Sequence, residues 1–154
     1  MALSSRRGPL HLRHCASYPI AMIFSTITFS KAGLDDPPQA ESDDALTGLN
    51  CAKWVMSWLC NLEAAGFDEE PIVEDWGYAV RVSAAPDTLL LGFTNAFEDD
   101  PNRWRITVSD NFNRGLFPWT RQRRREKASN LSDFVERSLR AADGVENVRV
   151  EQTG

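Results

Sequence analysis

The side chains best suited to chemistry gather in one short segment. Glu69, Glu70, Glu74 and Asp75 fall within seven residues, and hard cations such as Mg²⁺ or Ca²⁺ are held by several carboxylate or carbonyl oxygens at once. Their spacing is not that of an EF-hand loop, so the plain alternative is a solvated acidic turn feeding a strand. A metal-assisted hydrolase built on these carboxylates stays open on residue type alone. In the same stretch, Asp75-Trp76-Gly77-Tyr78 sets two aromatic rings around a glycine. That pattern suits a groove for a partner's side chain, or an aromatic cluster at the sheet edge packed against Trp54 or Trp58 of the first helix.

A second concentration is basic. Trp119 is followed by Arg121, Arg123, Arg124, Arg125 and Lys127; guanidinium groups pair bidentately with carboxylate or phosphate, and an indole can stack. The run suits an anion, RNA or acidic-protein contact, or a solvated segment leading into a helix. No nucleic-acid-binding motif surrounds it, and the net charge of −5 opposes non-specific nucleic-acid binding by the whole domain. The charge is polarised: residues 35–75 hold eleven acids against Lys53 alone, whereas residues 114–127 hold six basic residues against Glu126.

The catalytic inventory is thin. Both histidines, His11 and His14, precede the segment expected to fold, so no Ser-His-Asp or Cys-His arrangement can be assembled within it. There is no Walker loop, dinucleotide glycine pattern or His-Glu-x-x-His. Asp75 with Glu98 would serve as acid and base only if the fold joined them. Cys15, Cys51 and Cys60 are odd in number and lack a Cys-x-x-Cys pair, which fits a reducing cytosol rather than a disulfide framework or zinc site. No cofactor is expected, and a cytoplasmic location follows.

The elements that must position these groups read as follows. Residues 1–21 carry Arg6, Arg7 and Arg13 and lead into an apolar run over 20–29. Ser25, Thr26 and Thr28 dilute that run and no small-x-small cleavage site follows, so a secretory signal is not supported. The run is too short to span a membrane as a helix. The expectation is a disordered extension or a true start at Met22, then a single domain over 22–151. Within it, alternation predicts strands at 23–29, 78–82, 88–94, 103–108 and 145–150. Apolar residues at helical spacing predict helices over 49–65, capped by Asn50, and over about 131–142. Residues 31–47 read as a long exposed loop, and residues 71–75 as an exposed turn. The order β-α-β-β-β-α-β, with helices apolar along one stripe only, predicts an α+β domain: a mainly antiparallel sheet of about five strands with two helices on one face.

A helix ending in "AAGF", then "PIVEDWGYAV", "DDPNRWRITV" and "ENVRV" resembles a group of small bacterial proteins with a P-x-x-E-D-[WF]-G-[WY] signature. The matching residues are Pro71, Glu74, Asp75, Trp76, Gly77 and Tyr78, with tyrosine where tryptophan is more usual; the likeness runs from about residue 22 to 150. The resemblance brings no activity. At the level of class it is similar to immunity proteins, which neutralise a toxin through surface contacts, and its element order is similar to that of secretion chaperones, which bind unfolded segments along a sheet. The expectation is therefore a non-enzymatic protein-binding domain for a basic partner such as a toxin. Its candidate contacts are Glu74, Asp75, Trp76 and Tyr78, with Trp119, Arg121, Arg123, Arg124 and Arg125. The rivals are the metal-assisted hydrolase, a chaperone-like module and an anion- or RNA-binding module.

Overall fold

A computed structural model describes residues 22–36, 46–62, 66–84, 86–95, 97, 99–110 and 118–153. Residues 1–21 lie outside this set, and with them the expectation of a disordered extension. The elements run β1 (Ile23–Ser30), α1 (Leu49–Leu59), β2 (Gly66–Phe67), β3 (Ile72–Glu74), β4 (Gly77–Ala84), β5 (Asp87–Thr94), β6 (Arg103–Asp110), α2 (Pro118–Ala141) and β7 (Glu146–Gln152). The strands form one sheet in the order β2-β4-β5-β6-β1-β7, with β3 also paired to β4. Every pairing is antiparallel, which makes this an α+β fold.

Alternation fixes which face is which. In β6, Trp104, Ile106 and Val108 are buried, while Arg103, Arg105 and Thr107 point to the other side and stay partly exposed. The register carries the division across the sheet: Ile106 lies opposite Phe93 and Ile27, Trp104 opposite Phe29, and Val80 opposite Leu91. A slip of one residue anywhere would turn these side chains to water, so burial enforces the register. Both helices cover the same face. Cys51, Val55 and Leu59 of α1 join Ala128, Leu131, Val135 and Leu139 of α2 in one core with the strand residues. A buried hydroxyl pair, Ser25 to Ser132 at 2.9 Å, ties α2 to β1. Among the described residues no helix lies on the opposite, outer face.

Several expectations need correction. The sheet has seven strands rather than about five, because β2 and β3 are two and three residues long, too short to register as alternation. Consequently Ile72–Glu74 is strand, not exposed turn. Helix α2 begins at Pro118, about thirteen residues before the expected start at 131. Its basic first half is helical because Arg, Gln, Glu and Lys are good helix formers and because Arg124 and Ala128 extend the buried stripe of Leu131, Val135 and Leu139. Helix α1 ends at Leu59, with Asn61 and Leu62 closing tight turns onto the carbonyls of Trp58 and Leu59. Its cap is not Asn50: the Asp36 carboxylate accepts from the N–H groups of Gly48, Leu49 and Asn50 at 2.7, 3.2 and 2.7 Å. A carboxylate on the free amides of a helix N-terminus satisfies donors that have no partner within the helix. Part of the supposed exposed loop is therefore built into the fold.

Candidate functional site

The acidic segment folds as the outer edge of the sheet. Residues 66–74 run antiparallel to β4, with Gly66 opposite Ser83 and Ile72 opposite Ala79. Four residues, 68–71, therefore face only Val80 and Arg81, so the edge bulges. Asp68 mends the gap: its N–H donates to the Arg81 carbonyl at 3.2 Å, and its carboxylate accepts from the Arg81 N–H at 2.8 Å and the guanidinium at 3.1 Å. This charge-assisted pairing raises the pKa of Arg81. Glu69 and Glu70 are pushed outward and exposed, the pattern by which an edge strand resists pairing with other chains.

At the far end, β3 returns into β4 through Asp75 and Trp76, with Glu74 opposite Gly77. Gly77 has φ +154°, and a Cβ there would lie 2.5 Å from the Phe93 carbonyl oxygen and 3.1 Å from that of Thr47. Only glycine lets the hairpin close so near the sheet. The Trp76 ring then folds onto the outer face, over Gly92: a Cβ at position 92 would be 2.6 Å from its Cη2. One side of the indole is seated on backbone, and the residue remains 47% exposed. Val73, on the same hairpin but opposite Tyr78 in the pairing, is 61% exposed; Asp75 adjoins Trp76 in the turn and is exposed, and Glu69 and Glu70 are exposed further along the edge.

The structure separates several residues that sequence places together. Tyr78 is buried in the core opposite Phe93, on the other face of the sheet from Trp76, and offers little to a partner. Trp76 does not reach Trp54 or Trp58; those two rings meet each other edge-on at 4.4 Å on the helical side. The basic run lies on the first turns of α2, where Arg123, Arg124 and Lys127 converge on the buried Asp87 at 2.8, 3.2 and 3.3 Å. The Arg123 hydrogen bonds hold the Asp87 carboxyl well below the usual range, with Arg124 and Lys127 adding to them against the opposing effect of burial. This part of the run fastens α2 to the start of β5. Arg121, Arg125 and Trp119 remain on its exposed side, Trp119 at 65% exposure.

For catalysis and metals, the described residues contain no group of three or more His, Cys, Asp and Glu side chains placed to hold an ion. Glu70 instead stands 3.9 Å from Lys53. Glu98, His11 and His14 lie outside the described residues. Cys51 is buried, and that burial, with the Asp36 charge nearby, pushes its thiol far above the usual range, which makes it a packing residue rather than a nucleophile. Cys60 is exposed and donates its S–H to the Ser57 carbonyl at 3.1 Å.

Sequence reasoning found Trp76 but not its seat. The signal was Gly92, an isolated glycine inside an apolar strand run, which marks close approach of another group. Compared with protein-family models, curated proteins and solved structures, the chain matches none.

Proposed function

We propose that this domain is a non-enzymatic binding module that recognises a basic protein surface through the β3–β4 hairpin, with Trp76 as its anchor. The observation that carries this is the half-exposed indole held against Gly92. A seated ring has already lost its rotamer freedom, so a partner that covers it gains apolar burial at little further entropic cost. Tryptophan is among the residues most often found at the energetic centre of an interface. Glu74 and Asp75 beside it in the hairpin, with Glu69 further along the same edge, supply negative charge that steers a cationic partner and discriminates against acidic ones. Neutralisation of a basic toxin, as by an immunity protein, is one form of such recognition, and a reducing cytosol suits the free thiols Cys51 and Cys60.

The test is affinity capture from the native host at low and moderate salt, with wild type and Trp76→Ala side by side. The expected result is one basic protein, retained stoichiometrically by the wild type and depleted by the substitution. No stoichiometric partner, or one held equally by both, overturns the proposal.

A further inference from the structure

The outer face carries a second feature, beyond the seat of Trp76 and toward the β7 edge of the sheet. A shallow groove of about 340 Å³ lies over β6, β1 and β7. Arg103 and Arg105 line it from β6 and Arg149 from β7. Arg105 and Arg149 each lie opposite Thr28 in the pairing, so the two flank one strand at roughly 10 Å, twice the strand spacing. Phe97 packs against Arg103 and Arg105, its ring centroid lying 4.1 Å from the Arg103 guanidinium and 5.0 Å from that of Arg105. Among the described residues, none of the three arginines forms an ion pair. The acid among the lining residues is Glu151. Three arginines against one glutamate leave an excess of two positive charges.

Arg103 and Arg105 are half-buried and Arg149 is exposed, so the groove presents a net positive field that an anion would complete. We propose that this groove binds the phosphate monoester of a small molecule. The charge fits, since a phosphate monoester carries about −1.5 to −2 at neutral pH, and guanidinium forks match its oxygens. The size also fits, because the groove is at the small end of the range for small-molecule sites. A long polyanion fits poorly: along one side it meets Glu151, and across the sheet it runs toward Glu74 and Asp75. The arginines that carry the charge are not residues of the Trp76 contact, although Thr107 lines the groove and also faces Gly92 beneath the indole.

The test is calorimetric titration of the full chain with inorganic phosphate, a nucleoside monophosphate, a sugar phosphate and a single-stranded oligonucleotide lacking terminal phosphate. At least one monoester is expected to bind saturably with Kd below about 1 mM, and the arms show whether a nucleotide or a sugar phosphate is preferred. Arg105→Gln and Arg149→Gln each weaken it about tenfold, the loss of one charge-assisted hydrogen bond. Arg121→Gln, the same charge change on α2, leaves it unaltered. Thermal melting checks that each variant is folded, and Arg149→Gln, on an exposed edge strand, decides the matter if Arg105→Gln is unstable. Binding of the oligonucleotide alone, equal weakening by Arg121→Gln, or no saturable binding of any monoester overturns the proposal.

Discussion

Trp76 and Gly92 lie sixteen positions apart in the chain, and the proposed contact rests on the fold stacking one on the other. The presence of an aromatic pair about a glycine was legible in the sequence; the partition of that pair was not. Strand parity sends Tyr78 to the core, whereas the two-residue turn frees Trp76 from parity and lets its ring lie on the outer face. Gly92→Ala tests the seat. The added methyl would stand 2.5 Å from Thr107 Oγ1 and 2.6 Å from Trp76 Cη2, so the indole must lift. The expected outcome is a red-shifted tryptophan emission with about 1–2 kcal/mol lost in urea unfolding. Gly77→Ala meets backbone oxygens instead, which cannot turn aside, and should cost about 2–3 kcal/mol in the same measurement.

The strongly patterned elements were readable from periodicity, and the departures at α2 and at the α1 cap have physical causes. Helix α2 looked half its length because a run of arginines resembles a solvated segment. What fastens that half to the sheet is Asp87, thirty-six residues from Arg123, whose carboxylate makes burial of Arg124 tolerable. No local pattern announces such a pairing. Asp87→Asn removes the shared anion and should destabilise the domain by about 3 kcal/mol, the low end for a broken buried pair because Arg123 is exposed on one side. The pH dependence has a definite sign. The folded-state pKa of Asp87 is lowered, so its contribution is fully present above the unfolded value of about 3.9 and fades as pH falls below it toward the folded pKa. The wild type should lose urea resistance more steeply below about pH 4 than Asp87→Asn. Asp36 was hidden for the same reason, acting twelve residues from Gly48. Asp36→Ala should cost about 1 kcal/mol through the lost cap.

At the scale of the whole molecule, the class was legible because one-sided helices and alternating strands admit few layer arrangements. The polarity of charge was legible too, but not its disposition. The fold puts the acidic hairpin on one edge of the sheet, uses part of the basic run to latch α2, and leaves three strand arginines on the outer face that alternation alone marks only as water-facing. No described helix is long and apolar enough to cross a membrane. The central claim is that a partner docks on the acidic hairpin and not on the basic end of α2. Two exposed tryptophans mark these alternatives, Trp76 at 47% and Trp119 at 65%. The decisive measurement is the Kd of the captured basic partner for wild type, Trp76→Ala and Trp119→Ala, each confirmed as folded. The account predicts a rise of about 30-fold or more for Trp76→Ala, as for a central interface residue, and less than about twofold for Trp119→Ala. The reverse order, or no change in either, would contradict it.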